Sequence, residues 1–370
     1  MKILVTGAKG FIGKNLIAEL RNRNYSEIMA YDLDCAEELL DLYCREADFV
    51  YHLAGVNRPQ EVAEFMTGNF GFTSTLLEKL KQHNNDSPVV MTSSTQASLP
   101  NPYGESKKAG EELLFDYTKE RGTPVYVYRL PNVFGKWCRP NYNSVVATFC
   151  HNTANGEPIK VNDPNVLMNM VYIDDVVSEL LEAIEGRPHM TDDGYCYVPT
   201  FYTIRLGDIS SLIQSFKNAR EESSIPDMND DFTKKLYSTY LSYLPADKLT
   251  SPLKMNADIR GSFTEIIHTP DRGQVSVNIT KPGIARGNHW HQSKNEKFIV
   301  VSGNALIQLR EVNSNEVIDY HVSGDKMVVV DIPPGYTHNL ANEGEHDLIT
   351  IIWANEAFDL AHPDTYYLEV

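Results

Sequence analysis

Between Gly283 and Gly303 the chain reads GIARGNHWHQSKNEKFIVVSG, and this stretch constrains the fold more than any other. His289 and His291 lie two residues apart, so in an extended strand their imidazoles share one face and can converge on a single ion. Glu296 follows at a distance that lets the next arm of a hairpin bring its carboxylate back beside both rings. Imidazole and carboxylate donors gathered in this way suit zinc or another borderline divalent metal. The alternative is a pair of solvated histidines on a surface strand.

The same stretch fits the first metal-site motif of the cupin β-barrels, G-x5-H-x-H-x4-E-x6-G, at every fixed position. IPPGYTHNLAN resembles the second motif, P-x-G-x2-H-x3-N, at Pro333, Gly335, His338 and Asn342, although Gly324 lies too far upstream to serve as its leading glycine. The resemblance therefore adds His338 as a fourth ligand. Three imidazoles and one carboxylate leave room for water or a substrate oxygen. Asp258, Arg260, Gly261, Phe263 and Glu265 form D-x-R-G-x-F-x-E, which resembles the deoxysugar 3,5-epimerases built on the same barrel. Those enzymes act on nucleoside-diphosphate-4-keto-sugars. They need a base on one face of the ring, an acid on the other, and a group that stabilises the enolate, which a metal supplies by polarising the ketone oxygen. Their base is a histidine at the position of His289. Here His289 is assigned to the metal, which leaves Tyr336, Lys297 and His321 as candidate bases and a purely structural metal as the alternative.

The chain's 370 residues suffice for two domains with their own cores. A formal charge of −17 argues against nucleic-acid and membrane-surface partners, so any phosphate-bearing ligand must be held locally. No apolar run reaches bilayer length, and MKILVTG reads as a buried strand entering a glycine turn, so a cytoplasmic address is expected. The five cysteines, Cys35, Cys44, Cys138, Cys150 and Cys196, show no C-x-x-C spacing and are expected to be reduced.

In the amino-terminal half, an apolar strand ending at Thr6 runs into TGAKGFIG, with Gly7, Gly10 and Gly13 in a G-x-x-G-x-x-G turn. Such a turn brings backbone amides against a pyrophosphate, and the helix starting near Phe11 offers the anion its positive end. IMAYDLD, DFVYHLAG, PVVMTSS and PVYVYRLPN then alternate with helical stretches. The pattern predicts an α/β doubly wound parallel sheet of Rossmann type, over residues 1–247, before an all-β jelly roll over 252–370. Tyr103 and Lys107 form a Y-x-x-x-K pair one helical turn apart, downstream of Ser94 at a strand end.

These features resemble the extended short-chain dehydrogenase/reductases. The resemblance makes Tyr103 the proton donor, Lys107 the group that lowers its pKa, and Ser94 the hydroxyl that holds the substrate oxygen. It assigns the nicotinamide cofactor to Gly7, Lys9, Gly10, Phe11, Ile12, Gly13, Asp32, Ala54 and Lys107. Nucleotide-sugar dehydratases of this kind carry Asp-Glu after the catalytic Ser or Thr, whereas this chain has Thr95-Gln96, so dehydration is not expected. Asn132, Arg139 and Asn143 fall where extended members close over a nucleotide sugar, with Arg139 as a solvated surface charge the alternative. Asp32 favours NADH by repelling a 2′-phosphate, Lys9 favours NADPH by meeting one, and the residues leave that choice open.

A reductase half followed by an epimerase-like barrel resembles the CapF family of bifunctional capsular polysaccharide enzymes, through TGAKGFIGKNL, HLAGVNRP, NPYGESK, FGKWCRPNYNSV, GNHWH and PDTYYLEV across the whole chain. The resemblance implies a cytoplasmic bacterial enzyme with a UDP-sugar substrate, NADPH and a bound Zn2+ or similar ion. The barrel would invert C3 of UDP-2-acetamido-2,6-dideoxy-4-keto-hexose, and the reductase would then convert the C4 ketone, giving UDP-2-acetamido-2,6-dideoxy-L-talose. Fold-level analogy adds a homodimer. The competing enzyme reading is an NAD-retaining nucleotide-sugar 4-epimerase with an accessory barrel. A nucleotide-responsive sensor is the non-enzymatic one, and it has no use for Ser94, Tyr103 and Lys107.

Overall fold

The computed structural model describes residues 1–359 and 361–370. The chain divides into two compact units, Met1–Gln214 with Lys235–Pro245, and Ser215–Lys234 with Ala246–Val370. This differs from the division at 247 and 252 in two respects: the boundary lies between Pro245 and Ala246, and residues 215–234 group with the second unit.

The first unit begins β1 (Lys2–Thr6), α1 (Phe11–Asn22), β2 (Glu27–Tyr31), α2 (Glu37–Glu46) and β3 (Phe49–His52). A short α3 (Ala63–Phe65) then runs through a π-turn (Met66–Gly71) into α4 (Phe72–Gln82), followed by β4 (Val89–Ser94), α5 (Pro102–Arg121) and β5 (Val125–Leu130). The five strands are parallel, in the order β2-β1-β3-β4-β5. Alternate residues of β1 point to opposite faces, and both faces are apolar because helices cover both. Ile3 and Val5 join α1 in one core cluster, while Leu4 joins α2, α4 and α5 in the other. The order reverses between β1 and β3, and a crevice opens there at the carboxyl ends of the strands, where doubly wound sheets bind ligands.

The start of α5 fixes the helix that carries Tyr103 and Lys107. Asn101 caps it by accepting from the Gly104 amide at 2.8 Å, Pro102 takes its first position, and Gly122 in left-handed conformation ends it. Beyond β5 come β6 (Asn132–Phe134), α6 (Val145–Asn155), β7 (Leu167–Tyr172), α7 (Ile173–Ile184) and β8 (Tyr202–Arg205), with β6, β7 and β8 forming a small sheet of their own.

In the second unit, two antiparallel sheets enclose one core. The first holds β9 (Met255–Asp258), β10 (Gly261–Thr269), β11 (Gly273–Thr280), β13 (Glu296–Ser302), β16 (Val329–Ile332) and β18 (Leu348–Ala354). The second holds β12 (Ala285–Trp290), β14 (Asn304–Glu311), β15 (Val317–Ser323), β17 (Tyr336–Asn342) and β19 (Tyr366–Tyr367). Phe298, Val300, Ile307, Leu309, Leu340 and Leu348 meet between them at two-residue periodicity. Among the described residues, no helix is long and apolar enough to cross a membrane.

Candidate functional sites

A cleft of about 760 Å³ in the first unit joins the glycine turn to the ends of β3, β4 and β5. Gly7, Lys9, Gly10, Phe11, Ile12 and Gly13 line it together with Ser94, Tyr103, Lys107, Asn132, Arg139 and Asn143. Asp32 and Ala54 are not in the lining, although Leu53 and Gly55, beside Ala54, are.

The glycine turn is built for a ligand that needs close backbone approach. Gly7 has φ 66°, and a Cβ there would lie 2.7 Å from the Ala54 amide nitrogen, so only glycine lets the β1 and β3 ends meet. Gly10 caps α1 without a side-chain hydrogen bond, which leaves the first-turn amides for an anion. These features fit a dinucleotide pyrophosphate. The two Asp32 oxygens accept from the amides of Lys9 at 2.7 Å and Leu33 at 2.8 Å. The Lys9 ammonium is paired with exposed Asp34.

Lys107 is buried, and its ammonium donates to the Thr92 carbonyl at 2.8 Å. Burial pulls its pKa down to about 8, against the carboxylate of Glu111 one turn on. Burial pushes the Tyr103 phenol up from its ordinary value, and Ser94 offsets part of this. The trio thus holds a protonated phenol beside a hydroxyl and an ammonium. That is the starting state for giving a proton to a reduced ketone.

Three supporting features carried no recognised motif. Asn69 lies on the π-turn, lines the cleft, and bonds both the amide and the carbonyl of Val56 at 2.9 Å while donating to Ser106 at 2.9 Å. It ties the loop after β3 to α5, and π-turns recur at functional sites. Glu111 is fully buried against Arg129, at 2.5 Å, and accepts from Ser93, the neighbour of Ser94. Trp137, with φ 69°, and Asn141, with φ 54°, are left-handed residues in the loop that edges the cleft.

In the second unit His289, His291, Glu296 and His338 converge, their ligand atoms all within 4.8 Å of one another. β12 and β17 place His289 directly across from His338, after a bulge between Gly287 and His289 at which Asn288 takes φ 58°. Gly287 is required there, because its φ is 105° and a Cβ would stand 2.7 Å from the His338 carbonyl. Glu296 Oε2 lies 3.5 Å from His291 Nε2 and 3.2 Å from His338 Nε2. All three of those atoms are buried without a hydrogen-bond partner. Such orphaned polar atoms are costly unless something supplies a bond, and a divalent cation fits them. The Nδ1 of His291 donates to the Asp364 carbonyl at 2.5 Å, which leaves the Nε2 lone pair for a metal. Burial and His338 lower the His289 pKa to about 4, and the neutral imidazole is the ligating form. Burial alone would raise the Glu296 carboxyl, but His291 and His338 hold it at about 2.

The candidate bases separate. Tyr336 packs against the barrel core two residues before His338, on the same strand face. Lys297 pairs with Asp331 and His321 with Glu343 at 3.1 Å, both on exposed positions.

Residues 3–191 match the model of the NAD dependent epimerase/dehydratase family, and residues 256–366 match the polysaccharide biosynthesis C-terminal domain. The chain is 41% identical over its full length, and 99% of the relative's, to a UDP-2-acetamido-2,6-beta-L-arabino-hexul-4-ose reductase from Pseudomonas aeruginosa. It superposes over all of both chains on a crystal structure of the capsular polysaccharide assembling protein CapF from Staphylococcus aureus, with TM-score 0.95 and 53% identity. A second CapF structure, with the inhibitor 3-isopropenyl-tropolone, also covers 100% of each chain, with TM-score 0.90 and 48% identity.

Proposed function

The chain belongs to the NAD dependent epimerase/dehydratase family and, over its whole length, to the CapF family of capsular polysaccharide enzymes, and from that premise we propose that it is a two-step enzyme on a UDP-linked 4-keto-6-deoxy N-acetyl sugar. The second unit inverts C3. The first then reduces the C4 ketone with NADPH, giving UDP-2-acetamido-2,6-dideoxy-L-talose. The observation that carries the reading is the single cleft joining a dinucleotide-type glycine turn to Ser94, Tyr103 and Lys107.

The C3 proton is acidic only while C4 is a carbonyl, so inversion comes before reduction. A base removes that proton to leave an enolate, and return of a proton to the opposite face restores the ketone with C3 inverted. Tyr336, on the barrel face that carries His338, is the better placed of the three candidate bases. A bound divalent ion would be held by His289, His291, Glu296 and His338 and would supply Lewis-acid polarisation of the ketone oxygen. The tropolone inhibitor of a CapF relative presents adjacent carbonyl and hydroxyl oxygens, a pair suited to chelating such an ion.

For the reduction, a nicotinamide dinucleotide would be held by its pyrophosphate at the glycine turn and would supply the hydride for C4. Ser94 orients the ketone oxygen, the Tyr103 phenol gives it a proton, and the Lys107 ammonium offsets the charge left on the phenolate. Asn132, Arg139 and Asn143 hold the nucleotide-sugar end in the same cleft.

Proton NMR of the 4-keto sugar in deuterated water tests both steps. Loss of the C3 proton signal without cofactor, then a C4 alcohol with stoichiometric NADPH consumption, is the expected result. Failure of C3 to exchange removes the epimerase step. Interconversion with no cofactor consumed identifies the NAD-retaining 4-epimerase instead.

A further inference from the structure

The carboxyl-terminal segment after Pro363 is bound to the metal cluster from outside it. Asp364 accepts four hydrogen bonds on its carboxylate: from the amides of Gln292, Ser293 and Lys294, each at 2.9 Å, and from the Ser293 hydroxyl at 3.0 Å. Its carbonyl takes the Nδ1 proton of His291 at 2.5 Å. One residue therefore closes the loop that follows His291 and also sets that histidine's tautomer. Asp364 has φ 37°, a left-handed conformation that aspartate adopts more readily than most residues. Lys294 answers from the other side, its buried ammonium donating to the Pro363 carbonyl at 3.1 Å.

The segment then continues along the strand that carries His289. Tyr366 and Tyr367 pair with Trp290 and His289, and the Leu368 amide donates to the Asn288 carbonyl at 3.0 Å, at the bulge itself. The Leu368 carbonyl accepts from Thr337, the neighbour of His338. Each of the three histidines is thus held, directly or through an adjacent residue, by residues 364–368.

We propose that Asp364 is the positioning residue of the metal centre and that residues 363–370 form a strap which keeps His289, His291 and His338 in ligating geometry. The proposal rests on the metal reading above. Partners that orient ligating histidines contribute about 10- to 100-fold to metal affinity. The full-length protein, stripped of metal, would be titrated with Zn2+ against a chromophoric chelator, as wild type, Asp364→Ala and Ser293→Ala. Thermal unfolding would be followed with and without Zn2+.

Asp364→Ala is expected to bind Zn2+ about 10- to 100-fold more weakly and to lose much of the Zn2+-dependent rise in Tm. Ser293→Ala, which removes one of the four carboxylate bonds, should show a smaller loss in the same direction. A purely structural role would lower the Tm of the metal-free protein yet leave the Zn2+ increment intact. That result, or Asp364→Ala binding with wild-type affinity, overturns the proposal. Should Asp364→Ala fail to fold, wild-type affinity in Ser293→Ala overturns it instead. Absence of Zn2+ binding by the wild type would refute the metal reading and this proposal with it, whereas wild-type affinity in Asp364→Ala refutes the strap alone.

Discussion

A phenol is useful as an acid only while it keeps its proton, and the surroundings of Tyr103 favour that state: burial raises its pKa and Ser94 recovers only part of the shift. Tyr103→Phe should therefore lower NADPH-dependent reduction by about 10²- to 10⁴-fold, the usual scale for losing a general acid. C3 exchange in deuterated water should continue at its wild-type rate, because the phenol belongs to the other unit. Lys107 supplies the pH dependence. Its ammonium form is destabilised by burial and titrates near 8, below the ordinary lysine value of 10.5. Raising the pH through 8 removes the charge that offsets the phenolate, so kcat for reduction should fall on the alkaline side with an apparent pKa near 8. Lowering the pH from there should not reduce it through this group. A pH profile of NADPH oxidation at saturating substrate reads this directly, and a flat profile up to pH 10 would show that the Lys107 charge is not used.

At the scale of elements, the bulge in β12 decides whether the metal ligands meet. Were Asn288 paired regularly instead of bulged out, it would oppose His338, and strand alternation would turn His289 to the other face. Gly287→Ala places a methyl against the His338 carbonyl and forces a residue with φ 105° out of its conformation. A cost on the order of 1–3 kcal/mol is expected, together with loss of Zn2+ binding, both measurable by thermal unfolding and chelator competition. The H-x-H spacing, Glu296 and His338 were readable in the sequence because barrel motifs keep ligands at fixed offsets. The bulge was not, since it depends on register against β17, some 50 residues downstream. Asp364 escaped notice for a similar reason: its bond to His291 spans 73 positions, and one aspartate in a tail carries no local pattern. In the first unit, alternating apolar strands and helices made the parallel sheet legible, as did Tyr103, Lys107 and Ser94 at its edge. Asn69 was hidden because a π-turn has no periodicity of its own, and the amide bonds of Asp32 were hidden because position at the end of β2 says nothing about which amides its carboxylate meets.

For the molecule as a whole, each unit closes a core of its own: the two faces of the parallel sheet in one, and the space between the antiparallel sheets in the other. The orphaned atoms of the metal cluster all belong to the second. Removing the ion should therefore act unevenly. With free Zn2+ at about 100 times its Kd, binding to the folded state alone contributes about 2.7 kcal/mol. For a unit of this size that corresponds to a Tm shift on the order of 10 °C. Dialysis against a strong chelator is expected to split the unfolding endotherm or widen the gap between its components, with the lower one moving down and returning on addition of Zn2+. C3 exchange should be lost in the same sample if the ion polarises the ketone, and retained if the ion only braces the barrel. Reduction of a substrate already inverted at C3 should persist in either case, since the cleft that holds Ser94, Tyr103 and Lys107 draws none of its lining from the metal-bearing unit. Loss of that reduction on chelation would mean that the barrel's ion supports the reductase cleft as well, and the division of labour between the units would have to be redrawn.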